Sequence, residues 1–489
     1  MRLGVLLEGV DSELIGGENS QNTEIAKLAF DSNGVFADSL FFCLRGGSVD
    51  GHAFAGEAVK NGAVALVVER VLEIDIPQVL VKDTRKALAI ISGNFYGNAS
   101  RRLKVIGITG TNGKTTTAYM LASILRSAGK SVGVIGTLGI RYHDKYIPSE
   151  LTTPDPVFLQ EILAQMRLNG VEFVVMEVSA HALYYHKVDG VQFTACIFTN
   201  FTQDHLDFFE NMHAYQQAKS QLFTPNRCPL AVINGDDTTG REFGKAREGG
   251  QGKTLYYGLR TPSDAFAIIT DERLSGVECV FNINDALARA SLSFTGRHNV
   301  YNALGAMTCA VALGVDIEEG VKGFTTLKSV DGRLERVGKI NGADIFVDFA
   351  HTPDGLEKSV SALKAHATGR LICVFGCGGN RDKSKRAVMG ATVAKKCDFS
   401  VLTSDNPRYE DPLDIIAEIE KGYRRFSTRY VVVPDRAKAI AYAVDYVSQG
   451  DILLVAGKGG ERYQEIMGIK YPYSDNDIIE KIIKEKGTL

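Results

Sequence analysis

The segment LKVIGITGTNGKTTTAYMLASILRSAG, residues 103–129, reads as a buried strand (LKVIGI), a glycine-rich turn and a helix closed by Gly129. Gly110-Thr111-Asn112-Gly113-Lys114-Thr115-Thr116 fills the turn, directly before the helix N-terminus. Glycines there let backbone N–H groups approach an anion, and the helix dipole adds positive potential. Lys114 is placed to meet the β- and γ-phosphates of a nucleotide, and the Thr115 hydroxyl to ligate Mg²⁺. The strict spacing G-x-x-x-x-G-K-[ST] fails at one position, because Ile108 stands where the first glycine belongs. A strand–helix turn with a surface lysine is the plainer alternative. The placement of strand and helix favours phosphate binding.

Outward from this unit, short β-rich runs alternate with helical patterns, which predicts an α/β protein with parallel sheets. Upstream, LFFCLR, ALVVER and PQVLVK are strand candidates, with a helix near Arg85 to Tyr96 and a polar break at Gly97-Asn98-Ala99-Ser100. Downstream come the strands SVGVIG, EFVVMEV and TACIFTN, then a polar stretch near Lys328 to Asp331. A third alternation follows: DIFVDFA, LICVFGC, FSVLTS, RYVVVP and DILLVAG, each with a helical segment after it. This last piece reads as a doubly wound domain.

At 489 residues the chain exceeds one hydrophobic core, so two to four domains are expected. A net charge of −3 gives no global field for nucleic acid or an acidic membrane. No run approaches the ~20 apolar residues of a membrane span. The opening MRLGVLLEGV has a short apolar stretch, but Glu8 and Asp11 follow at once and no small-residue cleavage site is evident. The eight cysteines form no Cys-x-x-Cys pair, so a reducing cytoplasm is expected.

In open α/β sheets ligands gather at strand carboxyl ends. Glu177 ends EFVVMEV and Asp204-His205 follow TACIFTN, so Glu177 and His205 are expected to converge near Thr115. A glutamate is a hard oxygen ligand suited to Mg²⁺, and a capping or surface carboxylate is the alternative. His205 alone would read as a core histidine; its Asp-His-Leu-Asp setting favours a ligand. Met212, Tyr215, Lys219 and Leu222 share one apolar helix face, where a lysine usually snorkels. Near a metal and phosphates, desolvation would instead lower the pKa of Lys219 and make it nucleophilic. In the third stretch Arg381, Asp405-Asn406-Pro407-Arg408, Gly457 and Glu461 all sit at or just beyond strand carboxyl ends and can form one amino-acid pocket. An Asn-Pro turn explains two of them but gives no reason for Arg408, which can grip a carboxylate bidentately.

GITGTNGKTTT, MEVSAHAL, FTNFTQDHLDFF, Lys219, GRLERV, VDFAHTPDGL, GCGGNRDKSKR and SDNPR occur in an order that resembles the Mur ligase family nearly end to end. DSNGVFADSLFFCLRGGSVDGHAF extends the resemblance into the N-terminal stretch. It implies three domains: an N-terminal α/β UDP-binding domain over 1–102, a central P-loop-type ATPase domain with a parallel sheet over 103–330, and a C-terminal Rossmann-like doubly wound domain over 331–489. It implies ATP-dependent addition of meso-diaminopimelate to the D-Glu γ-carboxylate of UDP-MurNAc-L-Ala-D-Glu, through an acyl phosphate and with two Mg²⁺ ions. A monomer is expected.

By this resemblance Lys219 is a carbamate that holds Mg²⁺ together with Thr115, Glu177 and His205, while Asn299, Arg333, Asp348 and His351 complete the ATP site. A loop salt bridge for Arg333 and a helix N-terminal carboxylate for Asp348 are the alternatives. Ser32, Gly47, Ser48, Val49, Thr152, Thr153, Ser179, Tyr185 and Lys187 are the implied contacts to UDP-MurNAc-dipeptide. Tyr185 and Lys187 depart from the family's polar amide and arginine, and Gly460 replaces a histidine in Gly457-Lys458-Gly459-Gly460-Glu461. The Asp-Asn-Pro-Arg form is the one associated with meso-diaminopimelate. The rivals are L-lysine as the added amino acid, folylpolyglutamate synthesis, and a nucleotide-hydrolysing regulatory switch. The UDP-type N-terminal stretch argues against folate.

Overall fold

The computed structural model describes residues 1–17, 19–47 and 49–487, so Ser48, expected to contact the UDP end, lies outside the described residues. The chain forms two compact units. The first comprises residues 1–107, 131–195 and 224–229, and the second residues 108–130, 196–223 and 230–489.

The first unit carries a five-stranded sheet in the order Ser12–Ile15, Gln78–Val81, Ala63–Val68, Ser39–Phe42, Lys27–Ala29. Only the first pair is antiparallel. The three expected strands and the helix Thr84–Phe95 are present. Asp83 fixes where that helix starts, because its carboxylate accepts from Arg85 N and Lys86 N. In the same unit Phe173–Glu177 runs parallel to Val132–Gly136, which turns back antiparallel onto Gly139–Tyr142. Leu40, Phe42, Ala65, Val67, Val79, Leu88 and Ile91 share one buried cluster between sheet and helix.

The second unit holds the helix Lys114–Ser127 and a six-stranded sheet in the order Glu335–Ile340, Ala343–Asp348, Ile452–Ala456, Leu371–Phe375, Phe399–Leu402, Tyr430–Val432. All pairs are parallel except the first. Core clusters on both faces explain why the central strands are uninterrupted apolar runs: Phe346, Leu371, Cys373 and Phe375 pack one way, Ile345, Val347, Ile372 and Val374 the other. The expected doubly wound domain is therefore seen, with two differences. DILLVAG is followed first by the hairpin Tyr463–Ile466/Ile469–Pro472 and only then by the helix Asp475–Gly487. An antiparallel edge strand, Glu335–Ile340, precedes the first expected strand. Ala265–Arg273, Gly276–Ile283 and Ala286–Leu292 also form an antiparallel meander that the alternation of strands and helices did not signal.

The buried guanidinium of Arg436 donates through Nη2 to Asp475 at 2.7 Å, and both side chains are fully out of water. That pair ties the helix Arg436–Tyr446 to the start of the last helix. All eight cysteines are buried, and none forms a disulfide. No helix of the described residues is long and apolar enough to cross a membrane.

Candidate active site

The strand Lys104–Thr109 delivers the chain into the glycine-rich loop, and Gly113 is the N-cap of the helix Lys114–Ser127. Two glycines are required by space as well as by conformation. A Cβ on Gly110, at φ +150°, would stand 1.9 Å from Thr199 Oγ1, and one on Gly113, at φ +86°, 2.4 Å from Asn302 Oδ1. The loop is pinned from outside: Asn112 N–H donates to Asn200 Oδ1 (2.9 Å), and Thr199 Oγ1 donates to Asn112 O (2.6 Å). Asn299, in the helix Arg297–Ala312, donates to Thr295 O and accepts from Asn302, so it buttresses the residue beneath Gly113. Thr116, like Thr115, is buried in the first turn of the loop's helix.

Two lysines converge on one carbonyl. Lys114 Nζ donates to Gly110 O and Thr111 O, each at 2.9 Å, while Lys219 Nζ donates to Gly110 O at 3.0 Å. Lys219 is 1% exposed, with its nitrogen 4.6 Å from the Tyr215 ring centroid. Desolvation pushes its pKa well below the ordinary lysine value, and the nearby Lys114 charge pushes it further. The snorkelling alternative fails here, because the nitrogen itself is buried.

Asp204 joins several neighbours. It lies 3.4 Å from Lys385 Nζ, 3.4 Å from His205 Nε2 and 3.8 Å from His351 Nε2. Burial opposes its ionisation, yet the facing imidazoles of His351 and His205 and the ammonium of Lys385 hold its carboxyl well below the usual range. His205 adopts φ +56°, a left-handed turn conformation. Arg333 donates to Thr115 Oγ1 at 2.9 Å and stacks over Phe349 at 4.2 Å. Asp348 accepts from Leu334 N, Ala350 N–H (2.9 Å) and Ser359 Oγ (2.9 Å), so its carboxylate organises the loop that carries His351. Asn112 reaches Asp354 at 2.7 Å.

Within the first unit, the buried Glu177 accepts from Thr137 N–H (2.9 Å) and Thr137 Oγ1 (3.2 Å). Thr137 Oγ1 also meets Thr152 Oγ1 at 3.1 Å. Thr153 donates to Glu177 O and accepts from Ser179 N–H, while Ser179 caps the helix Ala180–Tyr184. Glu177, Thr152, Thr153 and Ser179 thus form one connected polar group. Lys187 is paired with Asp155 at 2.6 Å, and Tyr185 lies under the Arg85 guanidinium at 4.5 Å. Ser32 opens a short turn (Ser32–Gly34), and Gly47 and Val49 are exposed. Thr115 and Glu177 offer the oxygen donors that Mg²⁺ takes, and Lys219 would offer them only as a carbamate. Among the described residues, no group of three His, Cys, Asp or Glu side chains could hold a metal by itself.

At the carboxyl ends of the six-stranded sheet, Asp405, Asn406, Gly457 and Glu461 meet. Asn406 Nδ2 donates to Glu461 Oε2 (3.0 Å), and the buried Lys458 donates to Asn406 Oδ1 (2.9 Å) and Glu461 Oε2 (2.8 Å). A Cβ on Gly457, at φ +117°, would stand 2.5 Å from Asp405 Oδ2. Pro407 O lies 1.9 Å from where a Cβ of Gly379 would be, so the two loops touch. Arg408, at φ +53°, donates to Glu465 Oε2 and Gly379 O, and Arg381 reaches Asp207 at 3.3 Å.

Family models match three successive stretches: "Mur ligase family, catalytic domain" over 24–96, "Mur ligase middle domain" over 108–310, and "Mur ligase, glutamate ligase domain" over 332–459. The chain belongs to the Mur ligase family. Among its relatives in this family, the UDP-N-acetylmuramoyl-L-alanyl-D-glutamate–2,6-diaminopimelate ligase of Caldanaerobacter subterraneus subsp. tengcongensis is 42% identical over 487 residues, covering 99% of each chain. The ligase of the same name from Geobacillus kaustophilus is 40% identical over 95% of this chain and 96% of its own. A solved structure of a ligase of that name aligns over 100% of this chain and 99% of its own, with a TM-score of 0.71 and 28% identity. Asp204, Asp354, Lys385 and Lys458 are the site neighbours of this Mur ligase that sequence reading left without a role. Each lies inside a motif already quoted, so proximity to assigned residues was the available signal.

Proposed function

We propose that this chain is an ATP-dependent ligase that joins meso-diaminopimelate to the D-Glu γ-carboxylate of UDP-MurNAc-L-Ala-D-Glu. Full-length likeness to diaminopimelate ligases supports the activity, and the Asp405–Arg408 loop beside Gly457 and Glu461 is the observation that carries the choice of amino acid. We assign residues 1–102 to the UDP-MurNAc-peptide, 103–330 to ATP and 331–489 to the incoming amino acid. Ser32, Gly47, Val49, Thr152, Thr153, Ser179, Tyr185 and Lys187 are assigned to the first substrate. A reducing cytoplasm is the compartment we assign, and eight buried cysteines without a disulfide fit it.

A γ-carboxylate oxygen of D-Glu attacks the γ-phosphorus of ATP, forming an acyl phosphate and releasing ADP. The neutral amine of diaminopimelate then attacks the acyl carbon; the amide C–N bond forms as the C–O bond to the phosphoryl group breaks, and inorganic phosphate leaves with that oxygen and takes up the proton the amine loses. Lys114 exchanges its two loop carbonyls for phosphate oxygens and neutralises charge as the phosphoryl group moves. Arg333 and His351 flank the nucleotide, with Asn299 and Asp348 holding the loop and turn on which the site is built. Thr115, Glu177, His205 and carbamylated Lys219 are the residues that would hold Mg²⁺, which supplies charge neutralisation on the phosphoryl oxygens. Arg381 and Arg408 receive the distal carboxylate of diaminopimelate, and Asn406 and Glu461 its amino group. The test is turnover of purified protein with ATP, UDP-MurNAc-L-Ala-D-Glu and a panel of amino acids. Amide formation with meso-diaminopimelate and little with L-lysine is expected; lysine used as well would overturn the substrate assignment.

A further inference from the structure

We infer that Glu465, on the hairpin Tyr463–Ile466/Ile469–Pro472, is a positioning residue that sets amino-acid specificity by orienting Arg408. The inference rests on the reading of Arg408 as the group that receives the distal carboxylate. An arginine side chain has many rotamers, and discrimination between a carboxylate and no carboxylate requires that the guanidinium wait in one of them. Arg408 is held at both ends. Its Nε–H donates to Glu465 Oε2 at 3.0 Å and its Nη1 to Gly379 O at 2.8 Å. Those bonds use two of five N–H groups and leave three on the Nη atoms, the edge able to take a carboxylate end-on.

The backbone enforces the same alignment. Arg408 N–H donates to Glu465 O at 3.1 Å, Met467 N–H donates to Arg408 O at 2.8 Å, and Arg408 pairs with Ile466 as an isolated bridge. Glu465 N–H donates to Asn406 Oδ1 at 3.0 Å, and Gln464 Nε2 to Asp405 O at 2.7 Å. The hairpin therefore clamps the Asp405–Arg408 loop along its length while its outer strand, Ile469–Pro472, stays exposed. With φ at +53°, Arg408 occupies a conformation that a non-glycine residue holds only when its surroundings impose it. Glu465 supplies that restraint through both its carbonyl and its carboxylate. It would touch no substrate; it would act through Arg408.

The experiment compares wild type, Glu465→Ala, Glu465→Gln, Arg408→Ala and the double variant Arg408→Ala/Glu465→Ala, each assayed with meso-diaminopimelate and with L-lysine. Glu465→Ala should raise KM for meso-diaminopimelate about tenfold, the effect of losing one charge-assisted bond. KM for ATP should stay within twofold and kcat should fall less than KM rises. Preference for diaminopimelate over lysine should shrink by the same factor. In the Arg408→Ala background the second substitution should add nothing, a non-additivity that a purely structural defect would not produce. An unchanged KM in Glu465→Ala, or a full additive rise in the double variant, overturns the inference. Should Glu465→Ala fail to fold by thermal melt, Glu465→Gln decides. It keeps the acceptor for Nε–H, so KM near wild type is expected, and a rise as large as that of Arg408→Ala overturns the proposal. Failure of the wild type itself to use meso-diaminopimelate would instead defeat the substrate reading beneath it.

Discussion

At the scale of single residues, the convergence of Lys114 and Lys219 on Gly110 O is the most consequential contact. Two ammonium groups cannot share one carbonyl cheaply, so burial and the facing Lys114 charge push the Lys219 pKa well below the ordinary lysine value and favour its neutral form. A neutral, desolvated amine is the form that reacts with carbon dioxide, and the carbamate replaces a repelled cation by an anion with oxygen donors. Native mass spectrometry should find the protein heavier by one carbon dioxide, with the increment lost in Lys219→Ala. That variant should lose roughly a hundredfold or more in kcat, the order of loss for a misplaced charge at a phosphoryl site, and short carboxylic acids should restore part of it. An unmodified Lys219 together with wild-type kcat in the variant would sink the carbamate. The phosphate loop is legible in the sequence because its glycines, lysine and threonine are contiguous. The reason Lys219 matters is not, since its partner carbonyl lies 109 positions away.

Elements show where local chemistry ends a helix or locks one to another. The short helix Ala180–Tyr184 stops in a Schellman arrangement: Lys187 N–H donates to Ala182 O (2.8 Å), His186 N–H donates to Leu183 O (3.2 Å), and His186 takes φ +57°. His186 Nδ1 also meets Asp189 Oδ2 at 2.9 Å, and this hydrogen bond raises the histidine pKa against the opposing effect of burial. A raised folded-state pKa means the stabilisation is present in full below pH 6.5, the ordinary histidine value, and is lost as pH climbs through the folded value. His186→Asn, which tolerates the left-handed turn, should therefore cost most stability at mildly acid pH and progressively less toward alkaline pH. Denaturant melts across that range would show it, and a pH-independent cost would refute it. The Arg436–Asp475 pair makes a stronger lock. Asp475→Asn leaves a buried guanidinium uncompensated and should cost about 3–5 kcal/mol, read as a drop in denaturation midpoint. The central strands are legible from their apolar runs, whereas the hairpin Tyr463–Pro472 is not. Its strands are exposed or half-buried on both faces, so burial imposes no alternation on their sequence.

Over the whole molecule, the glycine-rich loop and the last domain are already in contact in the second unit, through Arg333–Thr115, Asn112–Asp354 and Lys385–Asp204. Nucleotide binding should therefore stabilise both pieces together. ATP at a hundred times its Kd adds about 2.7 kcal/mol, visible as a raised Tm and as hydrogen-exchange protection on both sides of residue 331. Lys114→Ala should abolish that shift while its ligand-free melt stays like wild type; a shift of full size would remove the loop from nucleotide binding. The order of domains could be read from the ordered motifs. These cross-chain contacts could not, because none has a local pattern. The eight buried thiols carry a different consequence. Burial pushes Cys43, Cys279 and Cys377 up to about 12, leaving almost no thiolate at neutral pH. A cysteine engineered onto the surface would outpace them all toward maleimide, so fluorophores can be attached without first removing any native sulfur.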